Sequence, residues 1–327
     1  MVYSRAVSSS RLRITVRRAT HGNRRAISQL ISWVENDARA RINILSTLYW
    51  QSGKAYIIGI TGPPGCGKST LIAKLAKRYT KEGLTVGIVA VDPSSQFTGG
   101  ALLADRIRMG ELSSDPNIFI RSMAARGYSG GVARATDDAV RIMDASGMDY
   151  IIIETTGTGQ SDVDVRRLTR TTVVITTPGL GDEIQALKAG IMEIGDIFVI
   201  NKADREGAER TADGIRSMVM MSEPANGWRP RVLKTIAASG DGIAELFVTI
   251  AQHSKHVREL QERDKTNDGR VRCDILEATR RYFEEITLQR VARTETFAKL
   301  MEQVSEHKID PYVAARKLIS QLCKPNK

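Results

Sequence analysis

The segment that most constrains this chain is rich in glycine and has the spacing GxxxxGKS. Its residues are Gly62, Pro63, Pro64, Gly65, Cys66, Gly67, Lys68 and Ser69. It follows an apolar run at residues 56–60 and precedes amphipathic helical spacing at residues 71–79. A strand, a glycine-rich loop and a helix in this order form the phosphate-binding unit of P-loop proteins. Further short apolar strands alternate with helices, so we expect an α/β fold with a mostly parallel sheet covered by helices on both faces.

The loop predicts a particular phosphate chemistry. Glycines let backbone N–H groups converge on an anion at a helix N-terminus, where the helix dipole also favours negative charge. Lys68 is expected to contact the β- and γ-phosphates, and the Ser69 hydroxyl to ligate Mg²⁺. Thr70 is grouped with these nucleotide-binding residues, whereas Cys66 is expected to be only a small residue inside the loop. The segment therefore predicts binding of a nucleotide with Mg²⁺.

A second motif indicates which base is bound. Asn201, Lys202 and Asp204 form an NKxD sequence after an apolar run at residues 197–200. An Asp carboxylate accepts hydrogen bonds from N1–H and the 2-amino group of guanine, which adenine cannot supply. The motif thus favours GTP and GDP over adenine nucleotides. A strand-like stretch at residues 231–233 is followed by a loop of small residues, Ile236, Ala237 and Ala238. We expect this loop to close over the base.

Candidate metal and switch residues lie between these motifs. Residues 150–154 form an apolar run that ends in Glu154, which is the form of a Walker B strand leading into a switch. We expect Glu154 to hold Mg²⁺ through water and the Gly157 N–H to contact the γ-phosphate. A strand at residues 85–91 brings Asp92 to the same carboxyl edge of the sheet. Asp92 is therefore a candidate for binding the metal or positioning water, although an isolated Asp-Pro is also typical of a turn.

Additional segments resemble one family of GTPases. They lie at residues 90–95, 99–100, 105–109, 121–124, 157–161 and 178–190. Together with the P-loop they resemble the MeaB family, GTPase chaperones of adenosylcobalamin-dependent acyl-CoA mutases. That family includes the methylmalonic aciduria type A proteins and proteins labelled as ArgK-type transport kinases. The resemblance covers roughly residues 21–327 and implies a GTPase that gates cofactor loading and protects a mutase such as methylmalonyl-CoA mutase.

The resemblance also implies roles for individual residues. It places Asp92, Asp105 and Glu154 in the Mg²⁺ and nucleotide-response network, and Gln160 in a second switch. Residues 179–188 would form a third switch that communicates with the mutase. This switch contains Asp182 and Lys188. The expected catalytic set comprises six residues: Lys68, Asp92, Asp105, Glu154, Gly157 and Gln160. None of them can be named as a general base.

One departure from the family pattern lies in the second switch. Val is usual in the family at two positions where this chain has Thr156 and Thr158. Two hydroxyls therefore enter this switch and can change its hydrogen bonding or its rest position, whereas the assignment of the nucleotide site does not depend on them.

Domain limits and partners follow from the same pattern. We expect a basic helical extension at residues 1–54, a GTPase domain at 55–256 and a helical arm at 257–327. The arm's apolar positions have too little chain to bury themselves, so they either pair with a second copy or fold back on the same subunit. The family resemblance favours the homodimer, and it adds a cobalamin adenosyltransferase as a further candidate partner.

Composition and charge exclude other classes of protein. The net charge of +11 divides into +8 for residues 1–54, −1 for 55–269 and +4 for 270–327, so the nucleotide domain is nearly neutral. Neither basic end contains a nucleic-acid module or interleaved aromatic residues, and no apolar run is long enough to cross a bilayer. We therefore expect no nucleic acid and no membrane partner. Three separated cysteines argue against a disulfide framework and for a reducing compartment.

The first twenty residues contain five arginines and no acidic residue. This composition is typical of a mitochondrial transit segment or of a frayed basic tail. We expect a cytoplasmic protein, with the mitochondrial matrix as the alternative.

Two other functions are alternatives to a mutase chaperone. A metal-delivery GTPase would be expected to carry a cluster of histidine or cysteine ligands, but this chain has only four histidines. His253 and His256 share one helical face without a nearby third ligand. A kinase of transport proteins, as the ArgK label implies, would be expected to show a protein-kinase catalytic loop, which this sequence does not resemble.

Overall fold

The protein is described here by a computed structural model. The residues that it describes are 9–93, 112, 114–125, 131–155, 157, 166–179, 191–222, 224, 226–263, 272, 275–276, 278–280, 282–283 and 291–322. Contacts divide the chain into two compact units, Met1–Arg263 and Asp264–Lys327. The domain limits expected after residues 54 and 256 remain predictions.

Seven strands form one sheet in the first unit. They are β1 (Tyr56–Thr61), β2 (Val86–Pro93), β3 (Ile118–Ala125), β4 (Tyr150–Glu154), β5 (Thr171–Thr176), β6 (Ile197–Asn201) and β7 (Arg231–Thr235). Their order across the sheet is β3-β2-β4-β1-β5-β6-β7, and each neighbouring pair is parallel. This confirms the predicted α/β fold with a parallel sheet. Strands β3 and β5 were not assigned from the sequence.

Helices cover both faces of this sheet. They are α1 (Ser9–Thr20), α2 (Arg24–Asn36), α3 (Ala38–Leu48), α4 (Lys68–Lys81), α5 (Gly131–Ala145), α6 (Ile191–Ile194), α7 (Ala208–Met221) and α8 (Ile243–Arg263), with a short 3₁₀ helix at Tyr49–Gln51. Side chains of successive strand residues point to opposite faces. On β4, for example, Ile151 and Ile153 pack with α1, α2, α3 and α5, whereas Ile152 packs with α4 and α8. Helix α7 covers β6 on the first of these faces.

The described part of the basic N-terminal segment is helical. Residues 9–20 form helix α1 rather than a frayed tail, because Leu12, Val16 and Ala19 recur at helical spacing and are buried in the same core as α2 and α3. Its arginines lie mainly on the exposed face. A buried ion pair links the neighbouring helices α3 and α5, with Arg41 Nε 2.5 Å and Nη2 3.0 Å from the two carboxylate oxygens of Asp138. A bidentate pair of this kind fixes both distance and orientation.

The second unit includes the helices α9 (Glu295–Ser305) and α10 (Pro311–Leu322), which contact each other. Thr294 caps the first of these, since its hydroxyl accepts a hydrogen bond from the Phe297 N–H. Several large apolar side chains on the two helices remain exposed in the single chain: Met301, Tyr312 and Ile319. Across the described residues of both units, none of the helices combines the length and apolar character needed to span a membrane.

A buried polar network lies at the amino edge of the sheet, where β1 and β5 begin. The Tyr56 hydroxyl lies 2.6 Å from Thr171 Oγ1, which lies 2.7 Å from His253 Nδ1 on α8. His253 is 4% exposed, and its Nε2 faces Asp196 Oδ1 at 3.6 Å. Burial lowers the pKa of His253 below its ordinary value of 6.5, and this effect outweighs the opposite influence of the Asp196 carboxylate. The folded protein therefore favours the neutral imidazole.

This network predicts an acid-sensitive contribution to stability. We expect the free energy of unfolding to fall as the pH drops below about 6.5, because the unfolded chain then binds a proton at His253 that the folded protein resists. The fall continues down to the lowered folded-state pKa, with a slope of at most about 1.4 kcal/mol per pH unit for one proton. Urea denaturation of wild type and His253→Gln at several pH values measures the difference. A variant that keeps the whole pH dependence of the wild type contradicts the prediction.

Candidate functional site

The P-loop joins β1 to α4 at the carboxyl edge of the sheet. Gly67 precedes the helix with φ of 95°, and Gly62 leaves the strand with φ of 145°. A Cβ added at Gly62 would lie 2.1 Å from the Ile175 carbonyl oxygen, and one at Gly67 would lie 2.4 Å from Asn201 Nδ2. Both positions therefore require glycine, for backbone conformation and for space. Pro64 and Gly65 are exposed, so the outer side of the loop is open to a ligand.

Lys68 lies across this loop rather than in solvent. Its side chain is 8% exposed, and Nζ donates hydrogen bonds to the carbonyl oxygens of Gly62 at 2.7 Å and Pro63 at 3.1 Å. The two carbonyls hold an ammonium group at the first turn of α4, where backbone N–H groups lack partners within the helix. A positive charge and a helix N-terminus at one place favour an anion. The expected contact of Lys68 with phosphates remains a prediction.

Two candidate Mg²⁺ ligands contact each other. Ser69 Oγ donates a hydrogen bond to Glu154 Oε1 at 2.7 Å, which joins the first turn of α4 to the end of β4. The β1–β4 register places Ile60 opposite Glu154, so the carboxylate lies at the strand end from which the P-loop leaves. A hydroxyl and a carboxylate are hard oxygen donors of the kind that Mg²⁺ prefers. This donor set fits the predicted ion.

The other metal and switch candidates are only partly described. Asp92 is the penultimate residue of β2 and pairs with Ala124 of β3, so its backbone lies at the carboxyl edge. The remaining four candidates lie outside the described residues: Asp105, Gln160, Asp182 and Lys188. The two threonines that depart from the family pattern, Thr156 and Thr158, lie outside them as well.

The start of the second switch is fixed against the P-loop strand. Thr155 donates from its backbone N–H to the Ile60 carbonyl oxygen at 3.1 Å and from Oγ1 to Thr61 Oγ1 at 2.9 Å. Gly157 has φ of 75°, and a Cβ there would lie 2.0 Å from the Gly62 carbonyl oxygen and 3.1 Å from Lys68 Nζ. Its backbone thus lies against the loop, beside the lysine. Thr61 and Thr155 were not singled out from the sequence, because their contact depends on the pairing of β1 with β4.

Asn201 connects three segments of the site. It ends β6, and its Nδ2 donates to the Cys66 carbonyl oxygen at 2.8 Å. Its Oδ1 accepts hydrogen bonds from Thr235 Oγ1 at 3.1 Å and from the Ala237 N–H at 3.0 Å. The amide therefore supports the P-loop and the loop after β7 at once. Its predicted contact with the base is not among these bonds.

The rest of the NKxD motif lies in the turn after β6. Lys202 has φ of 57°, and its Nζ donates to the Gly65 carbonyl oxygen at 2.8 Å. Asp204 is exposed, as an acceptor for a ligand's hydrogen-bond donors must be. In the facing loop, Ala237 is buried, Ile236 is half-buried and Ala238 is exposed.

Two other groups of residues are explained without a ligand. Burial raises the pKa of the Cys66 thiol, which therefore stays protonated and unreactive within the loop. His256 contacts the Asn226 carbonyl oxygen at 3.0 Å, and His253 belongs to the network at the amino edge. Within the described part of the chain, no three His, Cys, Asp or Glu side chains come together as metal ligands.

Comparison with known proteins identifies relatives along most of the chain. A family model described as "Methylmalonyl Co-A mutase-associated GTPase MeaB" matches residues 27–295. A protein of Pyrococcus abyssi named as a GTPase is 46% identical over 313 residues, which cover 94% of this chain and 95% of that protein. The mitochondrial methylmalonic aciduria type A homolog of Mus musculus is 40% identical over 199 residues, covering 60% of this chain and 48% of that protein.

A solved structure agrees with the fold. The crystal structure of a LAO/AO transport system kinase has a TM-score of 0.67 and 23% identity, and it covers 97% of this chain and 99% of that chain. At this identity the likeness shows the fold alone. The family match extends over most of the chain and agrees with the P-loop geometry and the NKxD turn. It confirms the resemblance noted from the sequence. The chain therefore belongs to the MeaB family and is a P-loop GTPase.

Proposed function

We propose that this GTPase is a chaperone of an adenosylcobalamin-dependent acyl-CoA mutase, such as methylmalonyl-CoA mutase, which gates cofactor loading and protects that enzyme. The observation that carries the proposal is the family match across residues 27–295, whose description names association with methylmalonyl-CoA mutase. The name of the mouse relative agrees with it. Gating of cofactor loading and protection of the mutase are finer roles, which need a direct test.

The proposed reaction is the attack of water on the γ-phosphorus of GTP. A bond forms between the water oxygen and phosphorus, the bond from phosphorus to the β,γ-bridging oxygen breaks, and GDP and phosphate leave. Loop N–H groups at the start of α4 and the Lys68 ammonium would neutralise charge on the phosphates. Lys68 already lies beside the loop and would exchange its carbonyl partners for phosphate oxygens. The Gly157 N–H would contact the γ-phosphate from the second switch.

Ser69 and Glu154 would hold Mg²⁺, with Asp92 and Asp105 as further members of this network. When bound, Mg²⁺ would supply positive charge at the phosphates. The direct hydrogen bond between Ser69 and Glu154 would have to open to admit the ion. No residue is proposed as general base, because water alignment in such switches is often completed by a partner.

Asp204 would select guanine, with the base between the Lys202 turn and the loop of Ile236, Ala237 and Ala238. The bonds of Asn201 and Lys202 to Cys66 and Gly65 support this proposal, since they join the base-reading turn to the P-loop. Binding of the base and binding of the phosphates would then stabilise the same loop.

Communication with the mutase is assigned to the switches. Gln160 in the second switch, and Asp182 and Lys188 in the third, would change position between the GTP and GDP states. We further propose a homodimer through the arm at residues 257–327, whose helices α9 and α10 expose apolar side chains in the single chain. A cobalamin adenosyltransferase is a second candidate partner. Metal delivery and phosphorylation of transport proteins remain the alternative functions to be tested.

The phosphate role of Lys68 predicts a loss of activity without a loss of fold. Lys68→Ala should abolish most GTP binding and hydrolysis, because it removes the ammonium group that lies at the P-loop carbonyls of Gly62 and Pro63. Titration with a fluorescent GTP analogue and a phosphate-release assay measure the two effects. Lys81→Ala is the matched control, since Lys81 is exposed at the far end of the same helix. Wild-type binding by Lys68→Ala would overturn the assignment of the loop.

Base selection by Asp204 predicts a change of nucleotide preference. Asp204→Asn should weaken GTP binding and favour xanthosine triphosphate, whose 2-oxo group accepts a hydrogen bond where guanine donates one. Competition titrations with both nucleotides and with ATP measure the change. Equal affinity of the wild-type protein for ATP and GTP would contradict the base assignment.

The switch assignment predicts that coupling can be lost while binding survives. Gln160→Ala and Lys188→Ala should bind GTP within a few-fold of wild type but lose about 1–3 kcal/mol of coupling to the mutase. Affinity capture with the full chain identifies the mutase, and phosphate release with and without it measures stimulation. Lys255→Ala, an 81% exposed position on α8, serves as the control. Full stimulation of both switch variants would show that the signal takes another route.

A further inference from the structure

Two threonine hydroxyls meet at the carboxyl ends of β1 and β4. Thr61 is the last residue of β1 and is 1% exposed, and Thr155 follows β4 directly and is 2% exposed. Thr155 Oγ1 donates to Thr61 Oγ1 at 2.9 Å. A buried hydroxyl without a partner is costly, so each of these groups depends on the other for part of its hydrogen bonding.

This bond continues the strand pairing beyond the end of β4. The regular register ends with Ile60 opposite Glu154, and the Thr155 N–H then donates to the Ile60 carbonyl oxygen at 3.1 Å. The hydroxyl bond adds a second link between the same two segments, from side chain to side chain. Thr155 is thus attached to β1 at two points, immediately before the chain leaves the sheet.

The linked residues lie next to groups of the proposed reaction. Thr61 precedes Gly62, whose carbonyl oxygen accepts from Lys68 and lies against Gly157. Thr155 follows Glu154, whose carboxylate contacts Ser69. A shift of Thr155 away from β1 would therefore move Glu154 and Gly157 relative to the P-loop. Neither hydroxyl reaches the loop itself, so both act through their neighbours.

Packing alone does not account for two threonines here. The adjoining strand residues Ile60 and Ile153 are fully buried and apolar. Valine has nearly the shape of threonine and would fill the same space without a hydroxyl that needs a partner. A hydrogen bond is directional, whereas apolar contact is not. The bond between the two hydroxyls therefore favours one position of the end of β4 relative to β1.

We propose that Thr61 and Thr155 are positioning residues for GTP hydrolysis: their hydroxyl bond holds the start of the second switch at the P-loop strand, so that Gly157 and Glu154 are aligned for the reaction. The inference rests on the proposed nucleotide site and extends it. GTP binding depends mainly on the P-loop and the NKxD turn, which this bond does not touch. Loss of the bond therefore lowers kcat more than it lowers GTP affinity.

Four variants separate positioning from simple structural support. Thr155→Val and Thr61→Val each leave one buried hydroxyl unpaired, so both should reduce stability and lower kcat by about three- to ten-fold, with GTP affinity within about two-fold of wild type. Thr155→Ser keeps the hydroxyl and should restore kcat. The double Thr61→Val, Thr155→Val variant buries two apolar groups in contact, so its stability should recover, whereas its kcat should stay low.

Thr171→Val is the matched control. Thr171 is fully buried, and its hydroxyl contacts the Tyr56 hydroxyl at the opposite end of β1. This variant should lose stability without losing kcat. Steady-state hydrolysis, titration with fluorescent GTP and GDP analogues, and urea denaturation of the full chain provide the three readouts for every variant.

Three results would overturn the inference: wild-type kcat in Thr155→Val, recovery of kcat together with stability in the double variant, or a loss of GTP affinity as large as the loss of kcat. Lys68→Ala is measured in parallel. If Lys68→Ala hydrolyses GTP normally, the proposed nucleotide site itself is wrong. If Lys68→Ala is inactive while Thr155→Val is fully active, only the positioning role fails.

Discussion

Close approach of backbone to backbone at the carboxyl edge of the sheet determines the form of this site. Gly62 lies against the Ile175 carbonyl, and Gly157 lies against the Gly62 carbonyl, each where a Cβ would fall about 2 Å from an oxygen atom. Three chain segments, from the ends of β1, β4 and β5, can therefore share one small volume only because two of these positions have no side chain. Lys68 and Ser69 lie next to this arrangement, at the start of α4.

Two lysine side chains add positive charge to the loop that the glycines form. Lys68 donates to the carbonyls of Gly62 and Pro63, and Lys202 donates to that of Gly65, so two ammonium groups surround one loop. The Asn201 amide adds a neutral donor at Cys66. Carbonyl oxygens that would repel a phosphate are thus held by cations or by an amide, and the helix dipole of α4 acts in the same sense. Positive charge is therefore already in place at this loop before an anion binds.

The sequence predicted those parts of the structure that depend on residues close together in the chain. The P-loop, the NKxD turn and β4 could be recognised because glycine, lysine and apolar runs follow one another at fixed spacing. Strand β5 was missed although Thr171 and the residues up to Thr176 are buried, since threonines lower the apolar contrast that marks a strand. Helix α1 lies within the helical extension expected at residues 1–54, but it was not predicted as a separate helix because arginines surround Leu12 and Val16. The bond between Thr61 and Thr155 depends on strand order, which local spacing does not contain.

The two ends of β1 place buried hydroxyls in different surroundings. At the amino edge, Tyr56 meets Thr171 beside His253, and this network connects β1, β5 and α8 without reaching the P-loop. At the carboxyl edge, Thr61 meets Thr155 one residue before the loop and one residue after Glu154. The amino-edge network therefore stabilises the packing of β1, β5 and α8. Thr61 and Thr155 lie where the strands end and the loops begin. At this place their hydroxyl bond can determine the position of Glu154 and Gly157.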